Sequence, residues 1–176
     1  MIIGKTKLRE LIVETELVKN YVDLEVQLQP CGFDLTVGDI FELRGDAVID
    51  FDNSYRKVPT YLPLTKSVLG YWALEPGTYM VMFNEELKLP LTLMGVSTQR
   101  STIKRCGGHT TVGFWDPGYN GAGYCNLTVT YPLKIRPGAR ICQIVFYKVT
   151  NELQMTLEGA ALERYEGVYQ KENVVK

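Results

Sequence analysis

Two stretches of this 176-residue chain carry residue types whose spacing could do chemistry. In the first, Arg100-Ser101-Thr102-Ile103-Lys104-Arg105, cations and hydroxyls crowd into one short segment. It reads as the start of a short helix, with Gly107 and Gly108 as its stop. A helix start turns backbone N–H groups outward, and with fixed positive charge beside them they favour an anion such as a phosphate chain. The second is Asp116, within Trp115-Asp116-Pro117-Gly118-Tyr119. Asp-Pro-Gly is a generic turn, yet aromatic side chains on both sides make it the wall of a pocket with a carboxylate at hand.

Composition narrows what such a pair of stretches can serve. A net charge of −1 is too small for a protein that binds nucleic acid by releasing counterions, so any polyanion is small and met by the local cluster. Cys31, Cys106, Cys125 and Cys142 show no CxxC pairing, and the single histidine, His109, lies in a glycine-flanked loop and faces solvent. That pattern excludes a zinc site. Met1 to Lys5 turns polar too soon for a signal peptide and no apolar run has membrane-spanning length, which gives a cytoplasmic protein with reduced thiols.

The elements that must position the two stretches are mostly strands. Length and hydrophobic content suit a single domain. A short helix is expected over Thr6–Val13, with Thr6 as its cap. Val22, Leu24, Val26 and Leu28 alternate with polar neighbours, the period of a half-buried strand from Tyr21 to Gln29. Gly32 and Gly38 bracket a brief strand, and Ile40 to Val58 forms a meander turning at Arg44-Gly45-Asp46. Further strands are expected at Tyr79–Phe83, Leu87–Gly95, Thr110–Phe114, Tyr124–Tyr131, Leu133–Arg136 and Ile141–Val149. Short strands punctuated by glycine and proline define a mainly antiparallel barrel or double sheet with one or two short helices. After Asn151 the chain is polar, but Tyr165, Tyr169 and Gln170 on a glycine-hinged tail give residues 151–176 the character of a lid on the domain formed by 1–150.

The segment RSTIKR followed by FWDPGYNG, RPGARICQIVF and RYEGVYQ, with VQLQPCGFDLTVG, YWALEPGTYMV and KLPLTLMGVSTQRST upstream, resembles the dCTP deaminase and dUTPase superfamily in order and spacing. Within it, the likeness is greatest to the archaeal type of dUTPase. The resemblance implies a distorted jelly roll and a homotrimer with sites shared between subunits. It implies that Arg100, Ser101, Thr102, Lys104, Arg105 and Gln143 meet the triphosphate. It also implies that backbone groups around Val112 read the uracil edge and that Tyr119 packs under the deoxyribose. Asp116 then contacts the sugar and the attacking water, Asp34 helps hold a magnesium ion through water, and Tyr165, Tyr169 and Gln170 close over the nucleotide. One position departs from the pattern: Val168 stands where a Lys or Arg is common.

Two reactions are open to such a framework, deamination of dCTP and hydrolysis of dUTP to dUMP and pyrophosphate. The resemblance places the deaminase acid/base glutamate ten residues after the acidic turn, here Asn126, or Thr128 if Gly121-Ala122-Gly123 is an insertion. No acidic residue lies between Asp116 and Glu152, so a carboxylate to shuttle the proton is missing there. Magnesium-assisted hydrolysis of dUTP, with Asp116 positioning water, is the expectation. A bifunctional deaminase and dUTPase, whose acid/base reaches in from elsewhere, and a silent dUTP-binding regulatory trimer are the alternatives.

Overall fold

The computed structural model describes residues 1–150 and 163–173. Helix α1 (Lys5–Thr15) leads into β1 (Val18–Lys19), α2 (Leu24–Gln27) and β2 (Leu28–Gln29), followed by the long β3 (Gly32–Arg44). Then come β4 (Thr60–Pro63), β5 (Trp72–Leu74), β6 (Gly77–Phe83), β7 (Glu86–Lys88) and β8 (Leu93–Gln99). After α3 (Ser101–Arg105) the chain runs through β9 (Gly108–Thr110), β10 (Gly113–Trp115), β11 (Asn120–Gly121), β12 (Tyr124–Val129), β13 (Leu133–Ile135) and β14 (Arg140–Lys148).

Among the described residues every strand pair is antiparallel, and the main sheet runs β10-β8-β14-β3-β6-β12-β9. It curls into the half-barrel of the dUTPase-like jelly roll. Strand β3 holds the two halves together. Its first residues pair with β14, with Asp34 opposite Gln143, and from Val37 on it pairs with β6, with a register shift between Val37 and Asp39. A bulge there bends the strand and increases its twist, so one strand serves both halves. Phe33, Leu35, Val37 and Ile40 of β3 point into the core with Ile141, Ile144 and Phe146 of β14. Each such side chain contributes about 1.5–3 kcal/mol by leaving water.

Five expectations are corrected. The brief strand expected between Gly32 and Gly38 is the first part of β3, which runs unbroken through Ile40 to Arg44. Tyr21–Gln29 is a strand only at Leu28–Gln29: Asp23 Oδ1 accepts the N–H groups of Glu25 and Val26 at 2.9 and 3.0 Å, which starts a helix turn and leaves Val22 and Val26 exposed. Helix α1 starts from Gly4 without a side-chain cap, so Thr6 lies inside it. The apolar run Leu87–Gly95 divides at Pro90, β7 joining a small sheet with β1 and β11 while β8 joins the main one. Thr110–Phe114 likewise divides at Thr111 and Val112 into β9 and β10, which lie at opposite ends of the main sheet. The strands expected around Tyr79, Tyr124, Leu133 and Ile141 are present, with ends moved by one or two residues.

Candidate active site

The basic segment forms where its residues indicate. Ile103 buries its side chain, Ser101, Thr102, Lys104 and Arg105 stay exposed, and Gly107, at φ +73°, ends the turn in a conformation that favours glycine. Thr130 fastens this end: its N–H and its hydroxyl donate to the Gly107 carbonyl at 3.0 and 2.9 Å. The N-cap is Arg100, not Ser101, and the Arg100 side chain turns away from the helix.

It turns to Asp34. Arg100 Nε and Arg140 Nη1 both lie 3.1 Å from Asp34 Oδ2, and Arg140 also donates to the Val26 carbonyl at 2.9 Å. Three neighbouring strands create this cluster, because β14 sets Gln143 between Asp34 of β3 and Thr98 of β8, and Arg100 directly follows β8. Gly32 is required beside it, since a Cβ there would press on the Ile144 carbonyl and lie 3.1 Å from Gln143 Nε2. Asp34 is only 1% exposed, and its Oδ1 has no partner among the described residues. Burial raises its pKa against the pull of Arg100 and Arg140. Its ionised form is therefore held at a cost, one that lapses as pH falls below the raised value.

Behind Asp34 lies a buried polar network that sequence reasoning missed. Glu85 accepts from the Thr36 N–H at 2.7 Å, the Thr36 hydroxyl at 2.6 Å and Gln27 Nε2 at 2.7 Å, and Gln27 also donates to the Asp34 carbonyl at 2.9 Å. Burial raises the Glu85 pKa despite these donors. Asn84-Glu85-Glu86 looks like an ordinary solvated turn, so nothing local announces a buried acid. Arg140 was also missed, although it stands in the same RPGARICQIVF stretch as Gln143.

The acidic turn builds a separate place. A cavity of about 290 Å³ is lined by Asp116, Trp115, Tyr119, Thr111, Tyr124 and Asn126, among others. The Tyr119 N–H donates to the Asp116 carbonyl at 3.1 Å, closing the turn and leaving the Asp116 side chain exposed. Tyr119 itself is buried, which raises its phenol pKa and keeps it neutral. The Trp115 indole is slotted between Gly113 and Gly123, where added Cβ atoms would lie 2.6 and 2.9 Å from the ring. Thr111 Oγ1 accepts the Asn126 N–H and the Thr111 N–H donates to the Asn126 carbonyl, both at 3.1 Å, so the wall at Asn126 is well held.

The tail folds onto this cavity in the same chain. The Tyr165 N–H donates to the Pro117 carbonyl at 2.8 Å, and the Tyr165 and Tyr119 ring centroids are 5.8 Å apart. Gln170 Oε1 accepts the Asn120 N–H at 2.7 Å while its Nε2 donates to the Gly118 carbonyl at 2.9 Å, so this amide is spent on fastening the tail. Arg56 stacks on the Tyr169 ring, 4.9 Å from its centroid. Tyr165, Tyr169 and Glu172 line the cavity, and the last of these was not singled out from the sequence. Residues 151–162, the beginning of the expected lid, lie outside the described residues.

The sequence-predicted site residues thus form two groups. Arg100, Ser101, Thr102, Lys104, Arg105, Gln143 and Asp34 belong to the basic cluster, and Asp116, Tyr119, Tyr165 and Tyr169 to the cavity; none of the first group lines the cavity of its own chain. Val112 stands exposed between the two cavity residues Thr111 and Gly113. Among the described residues, no three His, Cys, Asp or Glu side chains gather as a metal site, and no helix is long and apolar enough to cross a membrane.

Residues 2–149 match the model of the dCTP deaminase-like family, and the chain belongs to that family. Within it, the protein is similar to a probable deoxyuridine 5′-triphosphate nucleotidohydrolase of Methanosarcina mazei, at 38% identity over 98% of both chains. It is also similar to the deoxyuridine 5′-triphosphate nucleotidohydrolase of Methanocaldococcus jannaschii, at 35% identity over 90% of this chain and 98% of that one. The crystal structure of 2′-deoxycytidine 5′-triphosphate deaminase from Agrobacterium tumefaciens shares the fold, with a TM-score of 0.66 at 24% identity. The match covers 85% of this chain and 48% of that longer one.

Proposed function

We propose that this protein is a dUTP diphosphatase, hydrolysing dUTP to dUMP and pyrophosphate by attack of water on the α-phosphorus. The observation that carries the reading is Asn126. It lines the cavity with Asp116, so the cavity wall offers a carboxamide where the deaminase glutamate would stand. An amide cannot take up and return a proton as a carboxylate does. Thr128, the other aligned position, is hydrogen-bonded to the Thr78 hydroxyl at 2.9 Å and does not line the cavity. The nucleotidohydrolase names of relatives that match over nearly the whole chain support the same choice.

In this reading Asp116 is the base that orients water, Tyr119 carries the deoxyribose and the backbone around Val112 meets the uracil. Arg100, Ser101, Thr102, Lys104, Arg105 and Gln143 take the phosphates, and Arg140 joins them as a second guanidinium beside Arg100. Asp34 acts as counter-ion to both arginines, which holds their planes in place. It does not fit as a magnesium ligand, because its oxygens are closed from solvent and two cations already share one of them. The magnesium ion we assign to the reaction would offset phosphate charge and be carried by the nucleotide and its own waters.

The separation of cluster and cavity within one chain supports a homotrimer in which the basic segment of one subunit serves the cavity of its neighbour, and we place this enzyme in the cytoplasm. A specific observation favours one second reading. Glu172 reaches the cavity from the tail, so a carboxylate is present there after all and could serve as acid/base in converting dCTP and water to dUTP and ammonia. Incubation with dUTP and with dCTP, with and without magnesium, separates the readings. The expected products are dUMP and pyrophosphate from dUTP, with dCTP unchanged. Appearance of dUTP or dUMP from dCTP, lost in Glu172→Gln, would replace the first reading by the second.

A further inference from the structure

We infer that Gln27 is a positioning residue for Arg140: its buried amide fixes the one-turn helix α2, and the Val26 carbonyl of that turn aims the guanidinium at the phosphates. Gln27 is 1% exposed, and both ends of its side chain are engaged. Oε1 accepts the N–H groups of Val22 and Asp23 at 2.7 and 2.8 Å, while Nε2 donates to the Asp34 carbonyl at 2.9 Å and to Glu85 at 2.7 Å. Glu85 is itself held by the N–H and the hydroxyl of Thr36 in β3. One side chain therefore ties an outer turn to the interior of the strand that carries Asp34.

The turn needs that anchor. Helix α2 has four residues, and a single helical turn does not repay the cost of fixing its own backbone. Leu24 packs partly against the core, while Glu25 and Val26 are exposed. Arg9 of α1 pairs with Glu25 on the outer face, an exposed ion pair that contributes little. Asp23 caps the start of the turn, and its own N–H is bound to Gln27, so cap and anchor act on the same few residues.

What the turn presents is the Val26 carbonyl. Arg140 opens β14 where the pairing with β3 shifts register between Arg140 and Cys142, and its side chain reaches α2. Nη1 donates to the Val26 carbonyl at 2.9 Å and to Asp34 Oδ2 at 3.1 Å. Two acceptors on one nitrogen, set by separate elements, fix the plane of the guanidinium. Its bonds among the described residues all leave from Nη1, so the edge formed by Nε and Nη2 remains for an anion, and the side chain is 32% exposed. Without Gln27 the turn loosens, the carbonyl shifts, and a flexible cation must be ordered anew by each phosphate it meets. The inference rests on the proposed function in taking Arg140 as a phosphate contact. Every bond from Glu85 to Arg140 lies within one chain, whichever subunit supplies the acidic-turn cavity.

The test is a double-mutant cycle on the full chain, read as the dissociation constant of dUTP in EDTA, where turnover stops. Arg140→Ala should weaken binding about ten- to a hundredfold, and Gln27→Met about tenfold. The double variant should bind no more weakly than Arg140→Ala alone, because the anchor acts only through that side chain. Deoxyuridine, which carries no phosphate, should bind all four proteins equally. Losses that add in the double variant, or that extend to deoxyuridine, would make Gln27 a merely structural residue and overturn the inference. If Gln27→Met does not fold, Asp23→Ala loosens the same turn from its exposed start and should weaken dUTP binding about threefold, a loss that vanishes on an Arg140→Ala background. No loss in Asp23→Ala, or one that persists on that background, would equally overturn it. Unchanged dUTP binding in Arg140→Ala would remove Arg140 from the phosphate site, so that this assignment in the proposed function falls together with the inference.

Discussion

Asp116→Asn should lower single-turnover hydrolysis of dUTP by about two to four decades, the usual contribution of a general base. The melting temperature should stay close to that of the wild type. Both halves of the expectation come from the turn. The hydrogen bond that closes it runs from the Tyr119 N–H to the Asp116 carbonyl, so the backbone does the structural part. The side chain stands exposed, and Pro117 with Gly118 at φ +79° keeps its direction fixed. The amide retains shape and size and loses only the proton acceptor. A folded Asp116→Asn enzyme with near-normal turnover would remove Asp116 from the chemistry, and a variant that melts early but keeps its activity per folded molecule would make it a turn residue.

A second large effect is expected from mixing two broken enzymes. Arg105→Ala should weaken nucleotide binding about ten- to a hundredfold, since a charge-assisted hydrogen bond contributes about 1.5–3 kcal/mol. If Arg105 and Asp116 of one site come from different chains, trimers assembled from equal amounts of Arg105→Ala and Asp116→Asn chains contain about a quarter of sites with both residues intact. Activity at low dUTP should then rise well above that of either variant alone. If a single chain supplies both residues, the mixture shows only the average of the two, and the shared-site arrangement is wrong. Arg105 is exposed and does not line the cavity that holds Asp116 in its own chain.

The parts of the fold legible in the sequence are those whose information is local. Ser101 to Arg105 and the glycines after it announce a short helix and its end, and β14 is visible in the apolar run from Ile141. Tyr21–Gln29 misleads because its alternation is real, while the deciding event is one hydrogen-bonding aspartate, Asp23. The site divides in the same way. Asp116 is legible because a turn sequence and two aromatics are contiguous. The Asp34 cluster is not, because its partners Arg100 and Arg140 come from segments remote in the chain, and the pairing register that joins them depends on the whole sheet. Glu85 is hidden for a related reason: its burial follows from Gln27 and Thr36 lying over it, long separations along the chain. Glu172 looks like one more charge in a charged tail until Gly121 gives that tail a seat.

The glycine-flanked Trp115 gives the molecule an optical property. The chain has two tryptophans. Trp72 is 1% exposed, its Nε1 donates to the Leu64 carbonyl at 3.0 Å, and Lys66 lies 4.7 Å from its ring centroid, so its surroundings do not include the cavity. Trp115 forms part of the cavity wall, packed closely against Gly113 and Gly123. A heterocycle that enters, or a tail that leaves, changes the polarity beside one indole and not the other. Intrinsic emission thus divides into a variable component from Trp115 and a steady reference from Trp72, and occupancy of the site can be followed in solution without a label.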